Sequence, residues 1–162
     1  MENIEVNIFN LSSIENMVSA LEKKREKYDA SMKRAVRNLT KSAYEYMKSL
    51  VPSDTGGLRN SIVYSFDEAS CTGTIRVGAS YALFVEYGTG IVGAQHPHPE
   101  PNGWQYDVNG HGTKGWWYYD PNQERSRWTR GQTAKAFVYK TARYIKENAP
   151  VELRRQLGVW IE

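Results

Sequence analysis

The chain has 162 residues, of which 40% are hydrophobic, and this length suffices for one core without disulfide or metal support, so a single domain over residues 1–162 is expected. Its one cysteine, Cys71, excludes an intramolecular disulfide, and the start of the chain lacks a signal-peptide pattern, so synthesis in a reducing cytoplasm is expected. The formal net charge is only +3, and no apolar run approaches the roughly 20 residues that span a bilayer, which argues against a membrane protein.

A long helix is predicted over residues 12–51. Ser12 and Glu15 have the spacing of a capping box, in which each side chain satisfies a backbone amide at the start of a helix. The helix should therefore begin near Ser13. Pro52 should end it, because the residue before a proline is disfavoured in the α region.

Apolar residues recur along this helix at spacings of three and four, as one stripe. The only lapse lies between Leu21 and Tyr28, where residues 22–27 are all charged. The lapse predicts either a bend or a protruding first half of the helix. The stripe consists of Ile14, Met17, Val18, Leu21, Tyr28, Met32, Ala35, Val36, Leu39, Ala43, Tyr46, Met47 and Leu50.

Residues 58–88 are predicted to hold an antiparallel hairpin followed by a packed corner. Thr55-Gly56-Gly57 is typical of a turn that needs positive φ. Apolar and polar side chains then alternate over Ser61–Phe66, as in a half-buried strand. Asp67–Thr72 is polar, and Thr74–Gly78 returns with the same period of two, so the two strands should pair.

The run Tyr81–Tyr87 is harder to assign, because its apolar residues are nearly continuous. It fits either a buried strand or about two turns of helix. The helical interpretation is slightly favoured, with Gly88 and Gly90 as the stop.

Residues 89–132 are predicted to form a long excursion from the domain. The segment is rich in glycine and holds four of the chain's six prolines, a composition that disfavours a long helix. Within it, Gly115–Asp120 and Ser126–Arg130 flank the turn sequence Pro121-Asn122-Gln123-Glu124, which predicts a second hairpin.

Residues 134–162 are predicted to be helical. Helical spacing extends from Phe137 to about Asn148, and Pro150 should begin a further short helix at its first turn. The predicted fold is α+β, with a long N-terminal helix packed on an antiparallel β-sheet, an inserted Trp-rich β-hairpin and C-terminal helices.

A metal site is the first chemistry to weigh, since His96, His98, His111, Glu100 and Asp107 carry ligand atoms suited to zinc or nickel. Two histidines that flank a proline cannot share a helix face, and no Cys pair or His-Glu-x-x-His sequence is present. The favoured interpretation is polar residues in an exposed loop. No metal or other cofactor is expected.

Catalysis has little support in the sequence. Cys71 lies in a polar turn with no histidine near it in sequence, and neither a Gly-x-Ser-x-Gly turn nor a phosphate-binding glycine loop is present. Glu86 stands alone in an apolar run, so its carboxylate must face solvent or be paired. The basic residues in its part of the chain are Arg59, Arg76 and Lys114. Structural pairing or a contact between subunits is favoured over catalysis.

The aromatic residues of the excursion admit three interpretations. They can form a small satellite core beside the main one. Alternation along a hairpin places only half of the rings on one face, and the domain has few other large residues to cover that face. They can anchor an interface, or they can stack on single-stranded nucleic acid beside Arg125, Arg127 and Arg130. The residues concerned are Trp104, Trp116, Trp117, Tyr118, Tyr119 and Trp128.

Charge is placed unevenly along the chain. Lys and Arg outnumber Asp and Glu nine to four over residues 22–48 and nine to two over residues 125–155, whereas residues 53–124 have three against eight. This pattern suits a nucleic-acid surface, or subunits that meet head to tail through opposite charges, or simply solvated helix faces.

Two stretches together resemble one family. They are Pro52-Ser53-Asp54-Thr55-Gly56-Gly57-Leu58-Arg59-Asn60-Ser61 and Tyr81-Ala82-Leu83-Phe84-Val85-Glu86-Tyr87-Gly88-Thr89. Over roughly residues 30 to 145 the chain is similar to the tail-component family of long-tailed bacteriophages and prophages, the gene-product-ten-like minor proteins of the neck and tail-completion region. Some members also have a Trp-rich hairpin closed by a sequence like Thr129-Arg130-Gly131-Gln132.

The resemblance implies a structural virion or assembly protein and no enzyme. Its implied partners are other phage neck and tail proteins and further copies of itself in a ring, located in the host cytoplasm during assembly and then at the head–tail junction or tail. A nucleic-acid-binding module with basic helix faces is the alternative. The candidate interface residues are Glu86, Tyr87, Trp116, Trp117, Tyr119, Trp128 and Arg130.

Overall fold

The computed structural model describes residues 11–52, 56–107, 109–111, 114–120 and 123–158. Their order along the chain is α1 Leu11–Leu50, α2 Gly57–Asn60, β1 Ile62–Asp67, β2 Thr72–Val77, α3 Ala82–Tyr87, α4 Gly90–Gln95, β3 Trp116–Asp120, β4 Arg125–Thr129, β5 Gly131–Gln132 and α5 Phe137–Leu157. The strands form two separate two-stranded antiparallel sheets, β1–β2 and β3–β4. The predicted α+β class is confirmed.

Helix α1 has two halves that differ in their surroundings. It is 40 residues long, about 60 Å, and ends at Leu50 shortly before Pro52, as predicted. Residues 12–30 are all exposed, whereas the stripe beyond Ser31 packs against the rest of the domain. The protruding first half is therefore the alternative that the structure adopts.

The core lies where the second half of α1 meets the β1–β2 hairpin, α3 and the start of α5. The six residues of its central cluster are buried, and Phe137 is completely enclosed. Pairing of Ile62 with Val77 and of Tyr64 with Ile75 sets the register of the hairpin, which confirms the first predicted pair of strands. The cluster consists of Met47, Val51, Leu58, Ile62, Val85 and Phe137.

Helix α5 runs antiparallel to α1. The rings of Tyr46 and Tyr144 stack at 4.5 Å, and Asn38 Nδ2 donates a hydrogen bond of 3.0 Å to Glu152 Oε1 farther along the pair. The predicted break before Pro150 is wrong, since α5 continues through it. Proline removes only one hydrogen bond of the helix, and packing of both flanks against α1 holds the helix in one piece.

The segment before β1 differs from the predicted turn. Gly56 has a φ of 73°, which fits the predicted positive φ, but Gly57 begins the short helix α2. Leu58 lies in this helix, and its side chain is buried in the core. This burial favours the helical turn. Thr55 lies outside the described residues.

The run Tyr81–Tyr87 after β2 is helical, as the favoured interpretation predicted. Helix α3 ends at Tyr87 with Gly88 as its C-cap, as predicted, but Gly90 does not act as a second stop, because it begins α4. The second predicted hairpin is also confirmed, with Trp117 of β3 opposite Trp128 of β4. Of its predicted turn, Pro121 and Asn122 lie outside the described residues.

Glu152 gives the contact between α1 and α5 a dependence on pH. Burial raises the pKa of Glu152, but hydrogen bonds from Arg155, Asn38 and Gln156 outweigh burial and lower that pKa below its usual 4.5. A carboxyl group whose pKa is lower in the folded than in the unfolded state stabilises the fold above the unfolded pKa, and this stabilisation is lost as pH falls through the folded pKa.

Replacement of Glu152 by Gln should lower the free energy of unfolding at pH 7 by about 1 kcal/mol. The difference should shrink as the pH falls below 4.5, the ordinary value of this carboxyl group. Urea denaturation of both proteins at a series of pH values measures it. The exposed Glu147, paired with Arg143, provides the matched control Glu147→Gln. A difference for Glu152→Gln that grows in acid would contradict the expectation.

Candidate functional site

Glu86 is buried at the point where α3 meets α5. Its side chain is only 6% exposed. Carboxylate oxygen Oε2 accepts a hydrogen bond of 2.8 Å from the backbone N–H of Val138, and Oε1 accepts one of 3.0 Å from that of Tyr139. These amides belong to the first turn of α5, where no intrahelical partner exists for them. Glu86 therefore caps α5 from another element of the fold.

The reason for this arrangement lies in the sequence before α5. The N-cap position is Ala136, which has no side-chain oxygen, and no side-chain capping hydrogen bond forms there. A negative charge at the N-terminus of a helix is also favoured by the helix dipole. Glu86 thus supplies the hydrogen-bond acceptor that the sequence at the start of α5 lacks.

His98 is the second partner of Glu86, and the sequence-based interpretation of it was wrong. It was interpreted as an exposed loop residue, but it is 4% exposed, and its Nε2 lies 3.0 Å from Glu86 Oε1. Its Nδ1 lies 2.9 Å from the backbone nitrogen of Glu100. The same Nδ1 lies 2.8 Å from the carbonyl oxygen of Glu100. With the proton on Nε2 the ring donates to Glu86, and Nδ1 then accepts a hydrogen bond from the backbone N–H of Glu100. We call Glu86, His98 and the first turn of α5 the Glu86 corner.

The predicted basic neighbours of Glu86 are not its partners. The structure gives the carboxylate hydrogen bonds from His98 and two backbone amides, and none from Arg59, Arg76 or Lys114. The signal for this role was present but indirect, namely a helix start without a capping residue and an isolated glutamate in a buried run.

Tyr87 links the Glu86 corner to the excursion. Its ring stacks on that of Trp104 with centroids 5.0 Å apart, and it lies 4.6 Å from the ring of His98. The indole nitrogen of Trp104 donates a hydrogen bond of 3.0 Å to the carbonyl oxygen of Gly88. Tyr87 and Trp104 are half-buried, so these rings pack together as the satellite-core interpretation predicts.

The root of the second hairpin is fixed to this corner through backbone pairing. Thr89 pairs with Gln132 and Gly90 with Gly131 in isolated antiparallel bridges. The side-chain amide of Gln132 also donates a hydrogen bond of 3.0 Å to the carbonyl oxygen of Phe84. The hairpin is thereby held at its base by α3 and α4.

One face of the second hairpin is an exposed aromatic surface. The rings of Trp117 and Trp128 face each other across the strands, with centroids 5.6 Å apart in an edge-to-face arrangement. Trp117 is 66% exposed, Tyr119 62% and Trp128 50%. For these three residues the satellite-core interpretation is wrong. We call them the aromatic face.

The opposite face of the hairpin is partly buried. Trp116 is half-buried and its ring lies 4.8 Å from that of His111. Asp120 is 7% exposed, and its Oδ2 lies 3.3 Å from Nη1 of Arg127. Arg130 is exposed at the root. Tyr118, on this same face, is 41% exposed, so burial here is confined to Trp116 and Asp120 at the two ends of β3.

The candidate chemical groups are not assembled into a reactive or metal-binding site among the described residues. No three of their His, Cys, Asp and Glu side chains come together as metal ligands. His98 is hydrogen-bonded to Glu86, and His111 pairs with Asp107 at 3.6 Å. Cys71 is a half-buried free thiol in the turn of the first hairpin. None of the helices in the described part is long and apolar enough to cross a membrane.

An exposed aromatic surface is typical of a site that contacts other macromolecules. Comparison with known families agrees. Residues 14–88 match the family model described as "Bacteriophage HK97-gp10, putative tail-component". The match confirms the family resemblance over this segment, which is less than half of the chain, and supports a structural role in a phage.

The matched segment runs from α1 to the end of α3 and includes Glu86 and Tyr87. It stops at Gly88, before the excursion that carries the aromatic face. No curated protein and no solved structure shows a significant match to the chain. The aromatic face is thus a feature of this chain that the family match does not cover.

Proposed function

We propose that this protein is a non-enzymatic structural subunit of the neck or tail-completion region of a long-tailed phage or prophage, and that it assembles with neighbouring proteins, including copies of itself, as part of a ring. The aromatic face carries the proposal. Trp117, Tyr119 and Trp128 project together from a hairpin whose root is fixed, and large aromatic side chains dominate the binding energy of protein interfaces. The family match over residues 14–88 supplies the phage context.

The geometry of the aromatic face favours a protein partner over single-stranded nucleic acid. Bases stack on flat, accessible ring faces, whereas Trp117 and Trp128 pack edge to face on one another with an interplanar angle of 67°. The nearest arginine across the strands, Arg127, is engaged with Asp120 on the opposite face of the hairpin. An exposed edge-to-face pair of rings suits an apolar pocket on another subunit.

The double variant Trp117→Ser/Trp128→Ser should fold normally and fail in particle assembly. Both side chains are at least half exposed, so their loss should change the free energy of unfolding by less than about 1 kcal/mol. The gene is deleted from the phage or prophage that carries it and supplied in trans as wild type or variant. Infective titre should fall by about two orders of magnitude or more with the double variant, and electron microscopy should show unjoined heads and tails or unfinished tails.

Tyr118→Ser is the matched control, since Tyr118 lies in the same strand on the opposite face. It should restore the titre to within a few fold of wild type. Full rescue by the double variant would remove the aromatic face as the contact surface. Complete, infective particles from the deletion strain alone would remove the proposed function itself, whatever the variants do. Retardation of single-stranded DNA by the wild type at low salt, lost in the double variant, would favour the nucleic-acid alternative.

A further inference from the structure

The dipeptide Asn-Gly occurs twice in the chain, at residues 102–103 and 109–110. The backbone nitrogen of the residue after an asparagine can attack the side-chain carboxamide, and glycine hinders this attack least because it has no Cβ. Both pairs lie in the segment that connects α4 with β3, and both asparagines are exposed. In an unfolded chain the two pairs should react at similar rates, so a difference between them in the folded protein must come from structure.

Asn102 is held in a conformation that prevents the attack. Its φ is 45°, in the left-handed region, where ψ is about +47°. At this ψ the nitrogen of the next residue is nearly anti to Cβ across the Cα–C bond. The side-chain carbon Cγ is therefore turned away from that nitrogen. Closure of a ring between them requires Cβ and the nitrogen to be nearly eclipsed instead, so the folded conformation of Asn102 is unreactive.

Contacts on both sides fix the turn that holds Asn102. The backbone N–H of Trp104 donates a hydrogen bond of 2.7 Å to the carbonyl oxygen of Pro101, and Gly103 between them has a φ of 77°. Two consecutive residues with positive φ and this hydrogen bond define a type I′ turn. The ring of Trp104 also stacks on that of Tyr87, with centroids 5.0 Å apart. Asn102 can therefore reach a reactive ψ only when the turn opens.

Asn109 has no such restraint within the described part of the chain. It is exposed, and its side chain forms no hydrogen bond with the described residues. Gly110 has a φ of 67°, and no atom lies within 4 Å of an added Cβ, so packing does not fix the peptide unit between the two residues. The backbone N–H of His111 donates a hydrogen bond of 2.8 Å to Oδ1 of Asp107, which closes the loop around the Asn-Gly pair without contacting Asn109.

We propose that Asn109 is a site of spontaneous deamidation in the folded protein, and that Asn102 is protected until its turn opens. The backbone nitrogen of Gly110 attacks Cγ of Asn109, and the new N–C bond closes a succinimide ring. The carboxamide nitrogen leaves as ammonia and takes with it the proton that the backbone nitrogen has lost. Water then opens the ring at one of its two carbonyl carbons, which gives aspartate or isoaspartate.

The product changes the charge of a cleft at the foot of the second hairpin. Asn109 lines this cleft of about 210 Å³ together with Asp107, His111 and Trp116, where β3 begins. Deamidation adds a second carboxylate to the lining beside that of Asp107, whose Oδ1 lies 3.6 Å from Nδ1 of His111. Isoaspartate also inserts a methylene group into the backbone. The reaction therefore alters the segment that leads into β3 as the protein ages.

Peptide mapping by mass spectrometry of the full-length protein, kept folded at mildly alkaline pH, tests the proposal. Deamidation is detected as the mass change from NH2 to OH, and chromatography separates the aspartyl from the isoaspartyl peptide. Conversion at Asn109 should be at least about tenfold faster than at Asn102, because Asn102 reacts only from an opened state. In concentrated urea the two rates should agree within about threefold, since unfolding removes the restraint on Asn102.

Two variants separate the effect of each turn. Gly110→Ala should slow conversion at Asn109 about tenfold and leave Asn102 unchanged, because the added Cβ hinders the attacking nitrogen. Trp104→Ala removes the stacking that fixes the other turn, so conversion at Asn102 should rise toward its rate in urea. The proposal is overturned if the folded wild type converts both asparagines at equal rates or Asn102 faster, or if Asn109 reacts in urea but not in the folded protein.

Discussion

Replacement of Glu86 by alanine is expected to lower the free energy of unfolding by about 4 kcal/mol. The variant leaves the buried ring of His98 and the backbone amides of Val138 and Tyr139 without their acceptor. Each loss alone costs about 1–3 kcal/mol when the group stays buried. Because domains of this size are stable by only about 5–15 kcal/mol, the loss is a large part of the total. Urea denaturation followed by circular dichroism measures it.

The matched control for this variant is Glu147→Ala. Glu147 also accepts a hydrogen bond from a neighbouring side chain, Arg143, at 3.1 Å, but its side chain is 62% exposed. Its removal should change the free energy of unfolding by no more than about 0.5 kcal/mol. A third variant, Glu86→Gln, should fall between the two, because one amide oxygen can accept only part of what two carboxylate oxygens accept. A loss below about 1 kcal/mol for Glu86→Ala would show that the Glu86 corner does not hold α5 in place.

The regular elements could be predicted because each has a local signal. The stripe of α1 has helical spacing up to Leu50, and the alternation in Ser61–Phe66 and Thr74–Gly78 has the period of a strand, so element type followed from periodicity alone. The protruding first half of α1 was one of two predictions, because the lapse after Leu21 marks where the apolar stripe is interrupted. Whether the first half of α1 bends or protrudes depends on how far α5 extends along α1. No local sequence pattern encodes the length of that contact.

The Glu86 corner could not be predicted, because its parts are brought together by tertiary structure. Glu86 and His98 are twelve residues apart, and Val138 is 52 residues from Glu86. The sequence showed a glutamate that needed a partner and a helix start that needed a cap, but each was considered separately. The continuity of α5 through Pro150 has the same origin, since contacts with α1 outweigh the local preference for a break.

The sequence also left open which rings of the second hairpin face solvent. Alternation placed only half of the rings on one face, and it showed neither which rings share that face nor which face meets the domain. The bridges at the root decide it, because they fix the hairpin with Trp116 toward His111. The orientation of the aromatic face therefore depends on a short contact between Gly90 and Gly131.

Replacement of Gly131 by alanine is expected to release this root. Gly131 has a φ of 101°, where an L side chain is strained, and an added Cβ would collide with the carbonyl oxygen of Thr89. Because the obstacle is backbone, neither side of the bridge can yield without breaking it. The local opening free energy of β3–β4 should fall by about 3 kcal/mol, while the core around the fully buried Phe137 should keep its stability.

Hydrogen exchange separates these two effects. Amides of β3 and β4 should exchange about a hundredfold faster in Gly131→Ala than in wild type, and amides of α1 and α5 should be unchanged. The matched control is Gly103→Ala, because Gly103 also has a positive φ, of 77°, but no atom lies within 4 Å of an added Cβ. The Gly103→Ala variant therefore has the strain of a positive φ but no collision of the added Cβ. Equal exchange in the two variants would mean that the contact at Gly131 does not fix the hairpin, and the aromatic face would then have no defined orientation to present to a partner.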